Sequence, residues 1–143
     1  MLIIPVRLGL AVAGFTTARL LGVASGQALA LFAFGTGIVL FTLQLSRKRR
    51  LFWLAVAEAK PLEAPLPVES RLRTTLRAAF PSTIGVTALM VISLVLDPEL
   101  GAFLAGTLAA LGLGAAIFCA ELVLWEQSRG RRVLLGPETV YLK

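Results

Sequence analysis

Glu121 is an acid inside one apolar run of this chain, and Arg7 is a base inside another. Hydrocarbon penalises charge. An ionisable group in a membrane-length segment therefore either pairs with an opposite charge or handles ions and protons. The two chemistries differ in depth. A structural pair needs both groups at one level, whereas a relay needs an acid near the middle of the slab. Glu121 lies about 35 Å along a helix from Pro98, which is near one end of its run. Arg7 is expected at a similar level, so Arg7 and Glu121 are expected to pair. Arg19 lies about 18 Å further along the helix of Arg7. It belongs to the opposite rim, where Asp97 and Glu99 are its candidate partners. No acid falls near the middle of any run, which argues against a proton-coupled mechanism.

Other chemistry is thinly supplied. The chain has no histidine and a single cysteine, Cys119, which lies within an apolar run. This excludes the usual zinc, haem and iron–sulfur ligand sets, and a Ser-His-Asp or Cys-His pair. No P-loop, GxSxG, HExxH or paired-carboxylate motif occurs. No catalytic, metal or cofactor-binding residue is therefore assigned, no cofactor is expected, and the chain is not expected to be an enzyme. The threonines within the runs are expected to bond back to their own helices.

The elements that must hold these groups are apolar. Of 143 residues only 15% are charged, against roughly 25% in a soluble domain, and the mean hydropathy is +0.86. Four runs, at about 2–21, 27–45, 76–96 and 100–125, have the length of a bilayer crossing, for which about 20 helical residues suffice. The expected fold is an all-α integral membrane protein. Four transmembrane helices form two antiparallel hairpins in a single domain, with a cytoplasmic amphipathic loop at 46–75 and a tail at 126–143. Threaded so, every one of the 14 lysines and arginines except Arg19 falls on one face. The positive-inside rule makes that face cytoplasmic. Both termini are then cytoplasmic, and the membrane is the bacterial inner membrane, a source suggested by the heavy use of Ala, Leu, Gly and Arg.

The connections carry local signals. Asp97-Pro98-Glu99 reads as a turn into a helix capped by Asp97, with Pro98 at its first position. Leu51–Ala57 is apolar but too short to cross, and places Trp53 at headgroup level. Three prolines between Lys60 and Pro67 favour an extended linker. Val133–Leu142 reads as a short C-terminal β-hairpin about Gly136-Pro137.

Small residues recur at helical spacing. Gly14 and Ala18 on the first run, Ala33 and Gly37 on the second, and Ala102, Gly106, Ala110 and Gly114 on the fourth place small side chains on single faces. Helices approach closely along such faces in membranes. The layout is similar, in size and outline only, to the small four-span assembly factors associated with rotary ATP synthases.

These features point to a non-catalytic accessory, assembly or stabilising subunit of a larger membrane complex. Its partners would be other membrane subunits or further copies of itself, together with anionic lipids, and not nucleic acid. The docking residues would be Arg47, Lys48, Arg49 and Arg50, then Arg73 and Arg77, then Arg131 and Arg132. The alternative is a small oligomeric transporter or channel that uses Glu121 and Arg19.

Overall fold

The computed structural model describes residues 3–57, 60–61, 82–130, 133–135 and 140–142. Among these residues five helices follow in order: α1 (Ile3–Leu20), α2 (Ser25–Leu45), α3 (Arg47–Ala57), α4 (Ser82–Leu96) and α5 (Pro98–Arg129). By length and composition, α1, α5 and the stretch that begins with α2 can each cross a membrane; α4, at 15 residues, is apolar but shorter. The extension of that span to Leu76 expected from the sequence lies outside the described residues, as does most of the loop expected at 46–75.

The helix boundaries have local causes. α1 ends at a Schellman motif: the Val23 N–H donates to the Ala18 carbonyl at 3.3 Å and the Gly22 N–H to Arg19 at 3.2 Å. That closure requires a left-handed residue, and Gly22 supplies it with φ at 101°. α2 and α3 are parted at Ser46, whose ψ of 134° is extended. Between α4 and α5 the chain turns through Asp97 alone. The Asp97 carboxylate accepts from the Glu99 N–H at 3.0 Å and the Leu100 N–H at 3.4 Å. With Pro98 at the first helical position, this is the cap read from the sequence.

The helices do not assemble as two self-contained hairpins. α5 is the hub, with α1, α2 and α4 all packed along it, while α1 and α2 touch each other little. Phe15 and Phe32 make their aromatic contact, edge to face at 5.2 Å. The buried core follows the hub: Ala102, Ala105, Leu108 and Ala109 of α5 meet Ala11 and Ala18 of α1, Ala28 of α2, and Met90 and Leu94 of α4. The outward faces stay apolar, with Phe41 of α2 70% exposed and Val95 of α4 82% exposed. Such faces suit a hydrocarbon solvent rather than water.

Small residues decide how close the helices come. On α5, Ala102, Gly106 and Ala110 are buried. A methyl added at Gly106 would collide with the Phe32 carbonyl of α2, and one at Gly35 with the Phe103 carbonyl of α5. The two backbones therefore interlock where side chains are missing. The Thr36 hydroxyl stitches the same crossing: it donates within α2 to the Phe32 carbonyl at 2.8 Å and faces the Gly106 carbonyl at 3.0 Å. Gly14 lies against Met90 and Ala105, and Gly114 against Leu43.

The Ala33–Gly37 pair does not pack inside the bundle. Both residues are exposed, and nothing approaches the Cβ position of Gly37. Each residue advances a helix by about 100°, so Gly35, two residues from either, points the opposite way. Within the bundle it is Gly35, and not that pair, that meets α5.

Three short extended segments pair at the backbone: β1 (Lys60–Pro61), β2 (Val133–Leu135) and β3 (Val140–Leu142). β3 is central, antiparallel to β2 with Val133 opposite Leu142, and parallel to β1 with Lys60 opposite Tyr141. A self-contained C-terminal β-hairpin is not supported, because the second edge of β3 is occupied by β1 and residues 136–139, which would form its turn, lie outside the described residues.

Candidate functional site: two polar clasps on the long helix

Two clusters of polar contacts form along α5 among the described residues. The first surrounds Arg7, which is 8% exposed. Its guanidinium joins three helices: Nε donates to Thr83 Oγ1 at 2.7 Å, Nη2 to Ser82 Oγ at 3.2 Å, and Nη1 to the Leu111 carbonyl at 3.1 Å. Ser82 and Thr83 open α4, whose positive end opposes a cation, so it is the oxygen acceptors that hold the guanidinium. A guanidinium can be buried there because its planar fork finds oxygen on several sides. Gly112 makes room: its Cβ position lies 3.3 Å from Arg7 Cβ and 3.0 Å from Leu8.

This overturns the expected Arg7–Glu121 pair. α1 and α5 are antiparallel and in a register that sets Arg7 beside Leu111, about 20 Å along α5 from Pro98. Glu121 lies about 15 Å further along the same helix, beyond the reach of a side chain. The expected pairing requires the start of α1 to be the inner end of a full crossing. Arg7 instead sits well inside the length of the hub.

The second cluster surrounds Glu121. Its Oε1 is paired with the Arg49 guanidinium of α3, and the two side chains are 34% and 23% exposed. Its Oε2 is buried and, among the described residues, has no hydrogen-bond partner. Four aromatic rings flank the pair. Phe52 stands edge to face on Phe118 at 4.9 Å, and Trp53 lies 6.4 Å from Phe118 and 6.5 Å from Trp125. Val56, on the same face of α3, is 1% exposed. Arg49, Phe52, Trp53 and Val56 form an i, i+3, i+4, i+7 stripe on α3. Phe118, Glu121 and Trp125 lie on one face of α5. Two short amphipathic faces thus close on each other, with one ion pair beside them.

Arg19 also differs from expectation. Its Nη1 donates to the Val23 carbonyl at 2.9 Å, which ties down the turn after α1. Among the described residues no ion pair joins Arg19 to Asp97 or Glu99, and Asp97 is engaged as a cap. The basic block divides as well. Arg47 and Arg50 are exposed while Arg49 is turned inward. The side chain of Lys48, and all of Arg73, Arg77, Arg131 and Arg132, lie outside the described residues. Among the described residues no group of three or more His, Cys, Asp or Glu side chains could hold a metal ion.

Sequence reasoning missed Ser82, Thr83 and Arg49 as partners. The first two had a usable signal: adjacent hydroxyls at the start of an apolar helix offer an arginine two acceptors. The partnership of Arg49 had none, since it depends on the bend at Ser46. Comparison with known proteins adds no relative: no family model, curated protein or solved structure matches this chain.

Proposed function

We propose that the chain is a non-catalytic accessory, assembly or stabilising subunit of a larger membrane complex, and that α2 presents its contact face. The supporting observation is the position of the second small-residue stripe. Gly26, Ala30, Ala33 and Gly37 share one face of α2, all exposed, and nothing approaches the Cβ positions of Gly26 and Gly37. This face points away from the one that carries Ala28 and Gly35 onto α5. One helix thus offers two small-residue faces, one used inside the bundle and one open to another helix. The transporter alternative is less favoured, because Glu121 is held by Arg49 and Arg19 by the Val23 carbonyl.

The test is purification from native membranes in mild detergent, with the wild type compared with Ala33→Leu/Gly37→Leu. The wild type is expected to migrate with companions or further copies. The double variant is expected to lose them while keeping its own helicity and unfolding midpoint. A wild type that runs as a bare monomer after crosslinking in the membrane would overturn the reading.

A further inference from the structure

α3 has one face turned to α5 and an opposite one that is exposed. Arg49, Phe52 and Trp53 meet Glu121, Phe118 and Trp125 of α5, and Val56 is buried on the same face of α3. Arg47, Arg50, Leu51 and Leu54 form the opposite i, i+3, i+4, i+7 stripe, and all four are exposed, Leu51 at 59% and Leu54 at 58%. The helix contains no acid. Its position is set by its neighbours. α2 is 21 residues long, which at 1.5 Å per residue gives about 32 Å, the thickness of the hydrocarbon. The extended backbone at Ser46 then breaks the helix axis, so α3 starts where the hydrocarbon ends.

We propose that this outward stripe of α3 is a docking face for anionic lipid headgroups. Arg47 and Arg50 bind the phosphates, and Leu51 and Leu54 enter the upper acyl region. The occupant follows from the mixture on the stripe. A soluble anion would use the arginines and have no use for the two leucines, and an apolar partner helix would have no use for the arginines. A bilayer surface of negative charge uses both. Arg49, two residues from Arg47 and one from Arg50, takes no part because Glu121 holds it on the other side. Three arginines within four residues therefore have two different jobs.

The experiment is native mass spectrometry of the full chain in mild detergent, titrated with phosphatidylglycerol or phosphatidylcholine. The wild type should retain phosphatidylglycerol in preference to phosphatidylcholine. Each of Arg47→Gln and Arg50→Gln should weaken phosphatidylglycerol retention by about fivefold, and the pair by about 25-fold. Leu51→Ser/Leu54→Ser should weaken it also. Arg49→Gln should leave it within about twofold of wild type, while shifting the fluorescence of Trp53 and Trp125 to the red as the seam loosens. Millimolar glycerol phosphate should not displace the lipid. Equal retention of the two lipids would overturn the proposal. So would loss of binding on Arg49→Gln but not on Arg47→Gln/Arg50→Gln, or displacement by glycerol phosphate. Should the Arg47→Gln/Arg50→Gln variant keep its lipid and lose a co-purifying protein, the face belongs to an acidic protein and the lipid proposal fails. No partner subunit enters the lipid measurement, so its outcome is independent of the accessory-subunit reading.

Discussion

α5 is held at its two ends by opposite means. Towards Pro98 it meets α2 through missing side chains: Gly35 and Gly106 let each backbone rest on the carbonyls of the other, and the Thr36 hydroxyl bridges them. Towards Arg129 it meets α3 through large side chains, with Phe118 and Trp125 against Phe52 and Trp53 beside the Arg49–Glu121 pair. In hydrocarbon, burial of apolar surface does not draw helices together, so contact at the first end depends on shape. At the second end the partners are amphipathic, and ring contacts and charge do the holding. A fit made of absences is intolerant of additions. A fit made of rings and one partly exposed ion pair degrades by parts.

The sharpest way to break this contrast is Gly106→Leu. A Cβ there falls on the Phe32 carbonyl, which is backbone and cannot rotate aside. The expected loss is roughly 3 kcal/mol or more, read as the midpoint of detergent-induced unfolding, with separation of α2 from α5 seen by cysteine crosslinking. The same substitution at Gly37, where nothing lies within 4 Å, should leave the midpoint of the isolated chain unchanged. If both variants behave alike, the interlock is not the source of the fit.

Arg7→Leu tests the staple between the two ends. It strands the hydroxyls of Ser82 and Thr83 and frees the Leu111 carbonyl. A loss of roughly 2–3 kcal/mol is expected by the same unfolding measurement, with faster amide exchange in the first turn of α4 and little change at α3. The smallest effect belongs to the aromatic end. A double-mutant cycle of Arg49→Gln and Glu121→Gln should give a coupling of about 0.5–1 kcal/mol, the value for a pair that keeps part of its hydration. A coupling as large as the Gly106 effect would make charge, and not shape, the main fastener of the hub.

Much of the helical layout could be read from composition, because a run of about 20 apolar residues matches the thickness of a bilayer and exceeds what a small soluble core can bury. The cap at Asp97 was equally legible, since Asp-Pro-Glu fixes a helix start through backbone chemistry alone. The partners were harder. Small residues mark faces, but spacing does not say which of two faces turns inward, so the pattern favours Ala33 and Gly37 where the fold uses Gly35. The level of Arg7 depended on the register of α1 against α5, a tertiary quantity with no local signature. Glu121 had several arginines within plausible reach, and the bend at Ser46 determined which one met it.

The arrangement around α5 has a consequence for biosynthesis. Chains are made and inserted from the N-terminus, and in this one the helix that all the others lean on emerges after α1, α2 and α4. Until it arrives, the described ties among the earlier helices are few, chiefly the bonds from Arg7 to Ser82 and Thr83. Assembly of the bundle is therefore a single late event, triggered by insertion of Pro98–Arg129, and a ribosome stalled before Asp97 would leave behind helices without a protein.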